Sequence, residues 1–313
     1  MQSAAAALTA ITALLDDLVD YAGLFPPASE DMRPALESYA SYLESSDRRA
    51  LGRFIVPLSR LKELEDAGDD LFSRDSNAEP WGLSVLVADD VHNAGEEMLK
   101  FNRRHSSVAR AGRVVIEVAE LKASTVAEIE SQQDELPRAF TSYFEIPATG
   151  DVSPLVEALA RLGSRAKIRT GGVTPEAFPP AEAIVNFIST CRRGGVPFKA
   201  TAGLHHPVRG TYRLTYEPDG PTGKMYGFLN LFLAAAFVYG GESDDIALAV
   251  LQEEDPLSFS FSDDAITWRD KRVDAGQIQA ARANFAISFG SCSFREPVDE
   301  IESLTHAARL KNQ

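Results

Sequence analysis

Cysteine is nearly absent from this chain of 313 residues, where only Cys191 and Cys292 occur, far apart and without CxxC or Cys/His finger spacing. A disulfide framework and a finger-type zinc site are therefore not expected, and a reducing, cytoplasmic setting fits best. Basic residues are also scarce, 31 Lys and Arg against 46 Asp and Glu, for a formal net charge of -15. With no basic stripe to release counterions, neither nucleic acid nor an anionic membrane is expected as a partner. Long apolar runs are missing as well. The segment Met225–Tyr239 falls short of the roughly 20 residues needed to span a bilayer and contains Asn230, so it reads as a buried helix. Met1–Leu15 lacks a basic leader and runs into Asp16 and Asp17; it reads as a helix capping the globule, not a signal peptide. Beyond these N-terminal alanines there is no internal repeat or low-complexity tract.

What is present is alternation. Apolar, β-rich runs trade places with amphipathic stretches along most of the chain, the pattern of repeated βα units around a parallel sheet. Eight strands are predicted, at Val19–Phe25, Arg53–Leu58, Gly82–Val87, Arg113–Val118, Ala139–Ile146, Ala166–Thr170, Pro197–Gly203 and Asn284–Gly290. Helices are predicted at Arg33–Glu44, Ser59–Ala67, Asp90–Arg104, Val152–Leu162 and Ala177–Arg192, with a closing helix at Val298–Arg309. This is the order of an α/β (β/α)8 TIM barrel, read as a single domain over residues 1–313. The connection between strands seven and eight is far longer than an ordinary βα unit. Residues 207–283 are read as an insertion, with helices at Asp244–Glu253 and Asp274–Ala283 and a hairpin pairing Leu257–Ser262 with Ala265–Trp268. A lid, or a contact between copies in a homo-oligomer, are the roles open to it.

In a TIM barrel the chemistry gathers at the C-terminal ends of the strands and the loops after them. That rule sends Arg53 and Arg113 to the opposite face and selects Arg60, Glu117, Glu145, Arg169 and His205. Two runs stand out, Lys167-Ile168-Arg169-Thr170-Gly171-Gly172 and Phe198-Lys199-Ala200-Thr201-Ala202-Gly203-Leu204-His205-His206. Alternation puts Lys167 and Arg169 on one face of strand six, and Lys199, Thr201 and Gly203 on one face of strand seven. Both faces are the barrel interior. Two desolvated cations in one cavity would favour the neutral amine, so one lysine is expected to act as a nucleophile near neutral pH. The competing reading is a structural network of the lysines with Glu117 and Glu145.

These two runs resemble the paired K-x-x-T-G and K-A-x-G-G strands of deoxyribose-phosphate aldolase, a class I aldolase on a (β/α)8 barrel. The resemblance implies a lyase needing no cofactor, with Lys167 forming the Schiff base and Lys199 tuning it. Leu18-Val19-Asp20-Tyr21 is similar to that family's first strand and would place Asp20 near the site. Gly290-Ser291-Cys292-Ser293 lies where the family's Gly/Ser loop binds the substrate phosphate. The chain departs from the pattern at Arg169, at Leu204-His205-His206-Pro207, in the long insertion and around Glu117.

The implied substrate is a small anionic carbonyl compound bearing a phosphate or carboxylate. Glu117, Glu145, Asp20 or His205 would shuttle protons through carbinolamine and enamine steps, while Arg169, Arg60 and Arg209 are suited to grip the oxyanion. Gly171 and Gly172 are candidates to offer backbone N–H groups to it. Two other readings stay open. In one, the vicinal His205 and His206 supply a ligand to a metal-assisted site with Glu117 or Glu145; in the other, the barrel binds a small anion without catalysis. Cys292 is expected to be a small buried residue, and His92, His105 and His306 to lie on helix surfaces.

Overall fold

The computed structural model describes residues 9–75, 77–88, 90–106 and 113–311. Residues 1–8 of the predicted N-terminal helix lie outside them, and helix α1 is described over Thr9–Leu15. The chain then runs β1 (Val19–Tyr21), α2 (Met32–Leu43), β2 (Leu51–Pro57), α3 (Leu61–Gly68), β3 (Trp81–Leu86), α4 (Val91–His105), β4 (Val114–Lys122), α5 (Val126–Glu135) and β5 (Thr141–Glu145). It continues through α6 (Ser153–Leu162), β6 (Arg165–Arg169), α7 (Ala181–Gly194) and β7 (Phe198–Thr201). A hairpin, β8 (Gly210–Arg213) and β9 (Thr222–Met225), precedes α8 (Phe228–Tyr239) and α9 (Asp244–Leu251). An antiparallel sheet of β10 (Phe259–Phe261), β11 (Ala265–Trp268) and β12 (Lys271–Asp274) leads into α10 (Ala275–Asn284), β13 (Ala286–Ser291) and α11 (Arg295–Lys311).

Strands β1 to β7 and β13 close into one barrel, each paired in parallel with its neighbours. The (β/α)8 TIM barrel read from the sequence is the fold. Outward residues such as Phe54, Leu83, Phe144, Ile168, Phe198 and Phe289 are fully buried and pack in one core with the helices. Burying a side chain of this size contributes about 1.5–3 kcal/mol, so the outer shell carries the stability. The interior can then hold polar groups.

Helix α8 is apolar on every side and buried from Phe228 to Val238, against α7, α9, α10 and β13. It occupies the position of the helix that follows the seventh barrel strand. Residues 207–283 are therefore not one continuous addition: the β8–β9 hairpin precedes this helix, and α9, the three-stranded sheet and α10 follow it. Asn230 in α8 is held by its side chain, donating to the carbonyls of Val250 and Glu253 and accepting from the Arg209 N–H. Among the described residues no helix is long and apolar enough to cross a membrane.

Two local deviations shape the site. Strand β4 runs on to Lys122 because a bulge intervenes, with Leu83 opposite Ile116 and Ser84 opposite Val118, so that Glu117 is the extra residue. Strand β7 stops at Thr201, and the chain turns through left-handed Ala202 (φ 63°) and Gly203 (φ 73°). A side chain on Gly203 would press within 2.7 Å of Phe178.

Candidate active site

Lys167 and Lys199 are register partners on β6 and β7, and both side chains point inward and are buried. They do not simply repel each other. Glu120, projecting from β4 beyond the bulge, lies between them: Oε2 is 2.7 Å from Lys167 Nζ and Oε1 is 2.7 Å from Lys199 Nζ. Lys199 is also 2.6 Å from Asp20 Oδ2, and Lys167 is 2.9 Å from Glu145 Oε2. The cluster is thus a chain of alternating charge, Asp20–Lys199–Glu120–Lys167–Glu145.

Neutral donors complete it. Ser84 donates to Glu120 Oε1 at 2.6 Å, Ser288 donates to Asp20 Oδ2 at 2.8 Å, and the Arg53 backbone N–H donates to Asp20 Oδ1 at 2.8 Å. Gly52 makes room for Asp20, since a Cβ there would sit 2.5 Å from Oδ1. The ring of Tyr143 lies 5.5 Å from Lys199 Nζ and adds a cation–π contact. Burial so deep is tolerable only with this degree of pairing.

The electrostatics follow from the geometry. Burial alone would lift the Glu120 carboxyl, but the charges of Lys167 and Lys199 outweigh it and hold the group well below the usual carboxylate range. Burial alone would likewise neutralise Lys199, yet Asp20 and Glu120 push its ammonium above the usual lysine range. The sequence-based expectation of mutual destabilisation of the two ammonium groups is therefore corrected for Lys199. Glu145 is also lowered, with burial opposing and Lys167 and Arg169 favouring the charge. Its Oε2 is buried and has no aligned hydrogen bond despite the nearby ammonium.

Above the cluster, at the C-terminal mouth of the barrel, a cavity of about 350 Å³ opens. Lys167 and Glu120 reach its floor; Lys199 does not line it. Its walls include Arg169, Gly172, Thr201, Gly203, His205, Gly290 and Cys292, with Ala22, Phe25, Pro26 and Pro27 from the first loop. Arg169 is half exposed, and Glu145 Oε1 lies 3.5 Å from its Nε, a long contact that leaves guanidinium donors for a ligand. A side chain on Gly171 would press on Phe178, and Gly171 does not line the cavity; Ser291 is buried with its hydroxyl accepting from the Ser293 N–H.

Several residues selected from the sequence lie elsewhere. Glu117 pairs with Arg53 at 2.7 Å and is substantially exposed, a layer below the cluster toward the strands' N-terminal ends. Arg60 sits in the 3-10 turn after β2 and pairs with Glu63. Arg209 is held by Glu254 near α9, and His206 pairs with Glu300 and stacks on Tyr212. His205 faces Glu296 and Cys292, while Glu117 pairs with Arg53 and Glu145 with Lys167, so the metal arrangement read from the sequence is not formed. Among the described residues no group of three or more His, Cys, Asp or Glu side chains is arranged to hold a metal ion. His105 is not on the surface but buried against Phe101 and Glu65, whereas His92 is exposed. Glu120, the residue at the centre, had a detectable sign in the sequence: a carboxylate three residues beyond Glu117 in an otherwise apolar run.

No family model matches the chain, and no curated protein does. A nitroalkane oxidase from Streptomyces ansochromogenes aligns over 97% of this chain and 100% of its own, at 11% identity and a TM-score of 0.35. The barrel assignment rests on the strand pairing and not on that likeness.

Proposed function

We propose that the chain is a lyase of the class I aldolase kind, acting on a small anionic carbonyl compound through a Schiff base at Lys167. The observation that carries this reading is that Lys167 alone of the two inward lysines lines the mouth cavity, with carboxylates at 2.7 and 2.9 Å from its Nζ. Glu145, whose Oε2 lacks an aligned hydrogen bond, takes the ammonium proton. The neutral amine adds to the carbonyl carbon, and the proton released by the new ammonium nitrogen passes to the alkoxide to give the neutral carbinolamine. Loss of water, assisted by a proton returned from Glu145, gives the iminium ion; removal of an adjacent proton then gives the enamine. Lys199 stays cationic and holds Glu120 ionised, so that Glu120 does not bind Lys167 alone.

Borohydride reduction of the whole protein with acetaldehyde, pyruvate, glyoxylate and glyceraldehyde 3-phosphate tests the reading. A stable mass increment mapping to Lys167, and absent from Lys167→Met, is expected. Labelling of exposed lysines only, with every carbonyl, overturns it.

Arg169 is assigned the anionic end of the substrate. Arg169→Met is expected to raise the concentration of glyoxylate needed for half-maximal labelling by about tenfold or more, as losing a charge-assisted hydrogen bond costs about 1.5–3 kcal/mol. Acetaldehyde, which has no anionic end, should be little affected. An equal change for both compounds would remove Arg169 from this role.

A further inference from the structure

The mouth cavity carries a second reactive group that the lysine cluster does not use. Cys292 lines its wall, and His205 Nε2 lies 4.0 Å from the Cys292 sulfur. The other ring nitrogen, Nδ1, is 2.9 Å from Glu296 Oε2, on the first turn of α11. A carboxylate only accepts, so Nδ1 donates to Glu296, and Nε2 is the nitrogen that faces the thiol. Tyr216, brought over the mouth by the β8–β9 hairpin, donates to Glu296 Oε2 at 3.0 Å and lies 3.7 Å from the same sulfur. Nucleophile, base and orienting carboxylate therefore stand in series, in the arrangement that activates a thiol.

We infer that Cys292, with His205 as its base and Glu296 positioning the imidazole, is a nucleophile that adds reversibly to the carbonyl carbon of an aldehyde bound in this cavity. With the thiol's proton on His205 Nε2, the sulfur forms a bond to the carbonyl carbon as the C=O π pair moves to oxygen. That oxygen takes the proton back from Nε2. The product is a neutral thiohemiacetal, with no leaving group and no change of oxidation state. Burial disfavours a charged His205, but Cys292 and Glu296 outweigh it and push its pKa up to about 10, so the imidazole holds the proton it shares with the thiol and gives it to the carbonyl oxygen. Cys191 supplies the contrast: it is wholly buried in the core, and burial pushes its thiol up.

The inference rests on reading the mouth cavity as a substrate site, but not on a Schiff base at Lys167. The test is the rate of alkylation of Cys292 by iodoacetamide at pH 7 in the full chain, followed by peptide mass mapping. Alkylation at Cys292 but not Cys191, slowed about tenfold or more in His205→Gln and less in Glu296→Gln, is expected because the thiolate is the reacting form. Propionaldehyde should slow alkylation in the wild-type protein, which keeps the test decisive if His205→Gln does not fold. The same protection should persist in Lys167→Met, whatever becomes of borohydride labelling. An unchanged rate in folded His205→Gln, no protection by propionaldehyde, or protection lost with Lys167 would each overturn the assignment.

Discussion

Glu120→Gln is expected to lower the free energy of unfolding by about 3–5 kcal/mol at pH 7, read from the urea midpoint, because removing one partner strands buried charge. Glu120 is the shared counter-ion: its two oxygens bridge Lys167 and Lys199 at 2.7 Å each, and Ser84 donates to it. Gln keeps the volume but supplies no charge. Lys199 would retain Asp20, and Lys167 would retain Glu145, so the loss should be large without abolishing folding. The dependence on pH separates this from a packing defect. Glu120 is depressed from its ordinary 4.5, so its contribution is fully present above that value and is lost as pH falls from there through the folded value. The wild-type protein should therefore lose stability below about pH 5 more steeply than Glu120→Gln. Parallel acid curves, or equal urea midpoints at pH 7, would show that the carboxylate does not sustain the network.

The sequence disclosed the barrel and its two inward lysines because both depend on short-range alternation, which a strand preserves wherever its backbone is regular. Lys167, Arg169, Lys199 and Thr201 all lie on regular strands, and the structure brings all four to the interior, three of them to the cavity wall. Glu120 was missed for the converse reason. Counting in twos from Glu117 sends position 120 to the outer face, but the bulge opposite Leu83 and Ser84 uses up one residue and returns Glu120 inward. A bulge is a property of the paired strands and leaves little mark on one of them.

Loop residues were misjudged through a different cause. Arg60, His206 and Arg209 do follow strands, but Glu63, Glu300 and Glu254 capture them, and two of these acids lie far away in the chain. The Cys292–His205–Glu296 series was invisible for the same reason, since 87 residues separate the thiol from its histidine. Asp20, on the short strand β1, pairs directly with Lys199, a contact across the barrel that the first strand alone does not announce.

Lys199→Met should produce the most informative change in chemistry. Lys199 is elevated above its ordinary 10.5 by Asp20 and Glu120 against the effect of burial, so it stabilises the fold fully below that value and ceases to do so as pH rises through the folded value. Its removal leaves Asp20 a buried carboxylate with the neutral Arg53 N–H and Ser288 hydroxyl as donors, and a loss of about 3–5 kcal/mol at pH 7 is expected. Lys167 should respond too. With Lys199 gone, Glu120 no longer divides its charge between two ammonium groups and binds Lys167 alone, which favours the protonated amine. Borohydride trapping of a carbonyl at Lys167 should therefore fall by about tenfold at pH 7 and recover at higher pH. Repulsion between the lysines, inferred from the sequence alone, gives the same sign, but the Glu120→Gln background distinguishes the two causes. If competition for Glu120 is the cause, Lys199→Met should add little to the trapping defect or gain in that background. If repulsion is the cause, the full tenfold loss should persist there, and the shared carboxylate would have no part in setting the reactivity of Lys167.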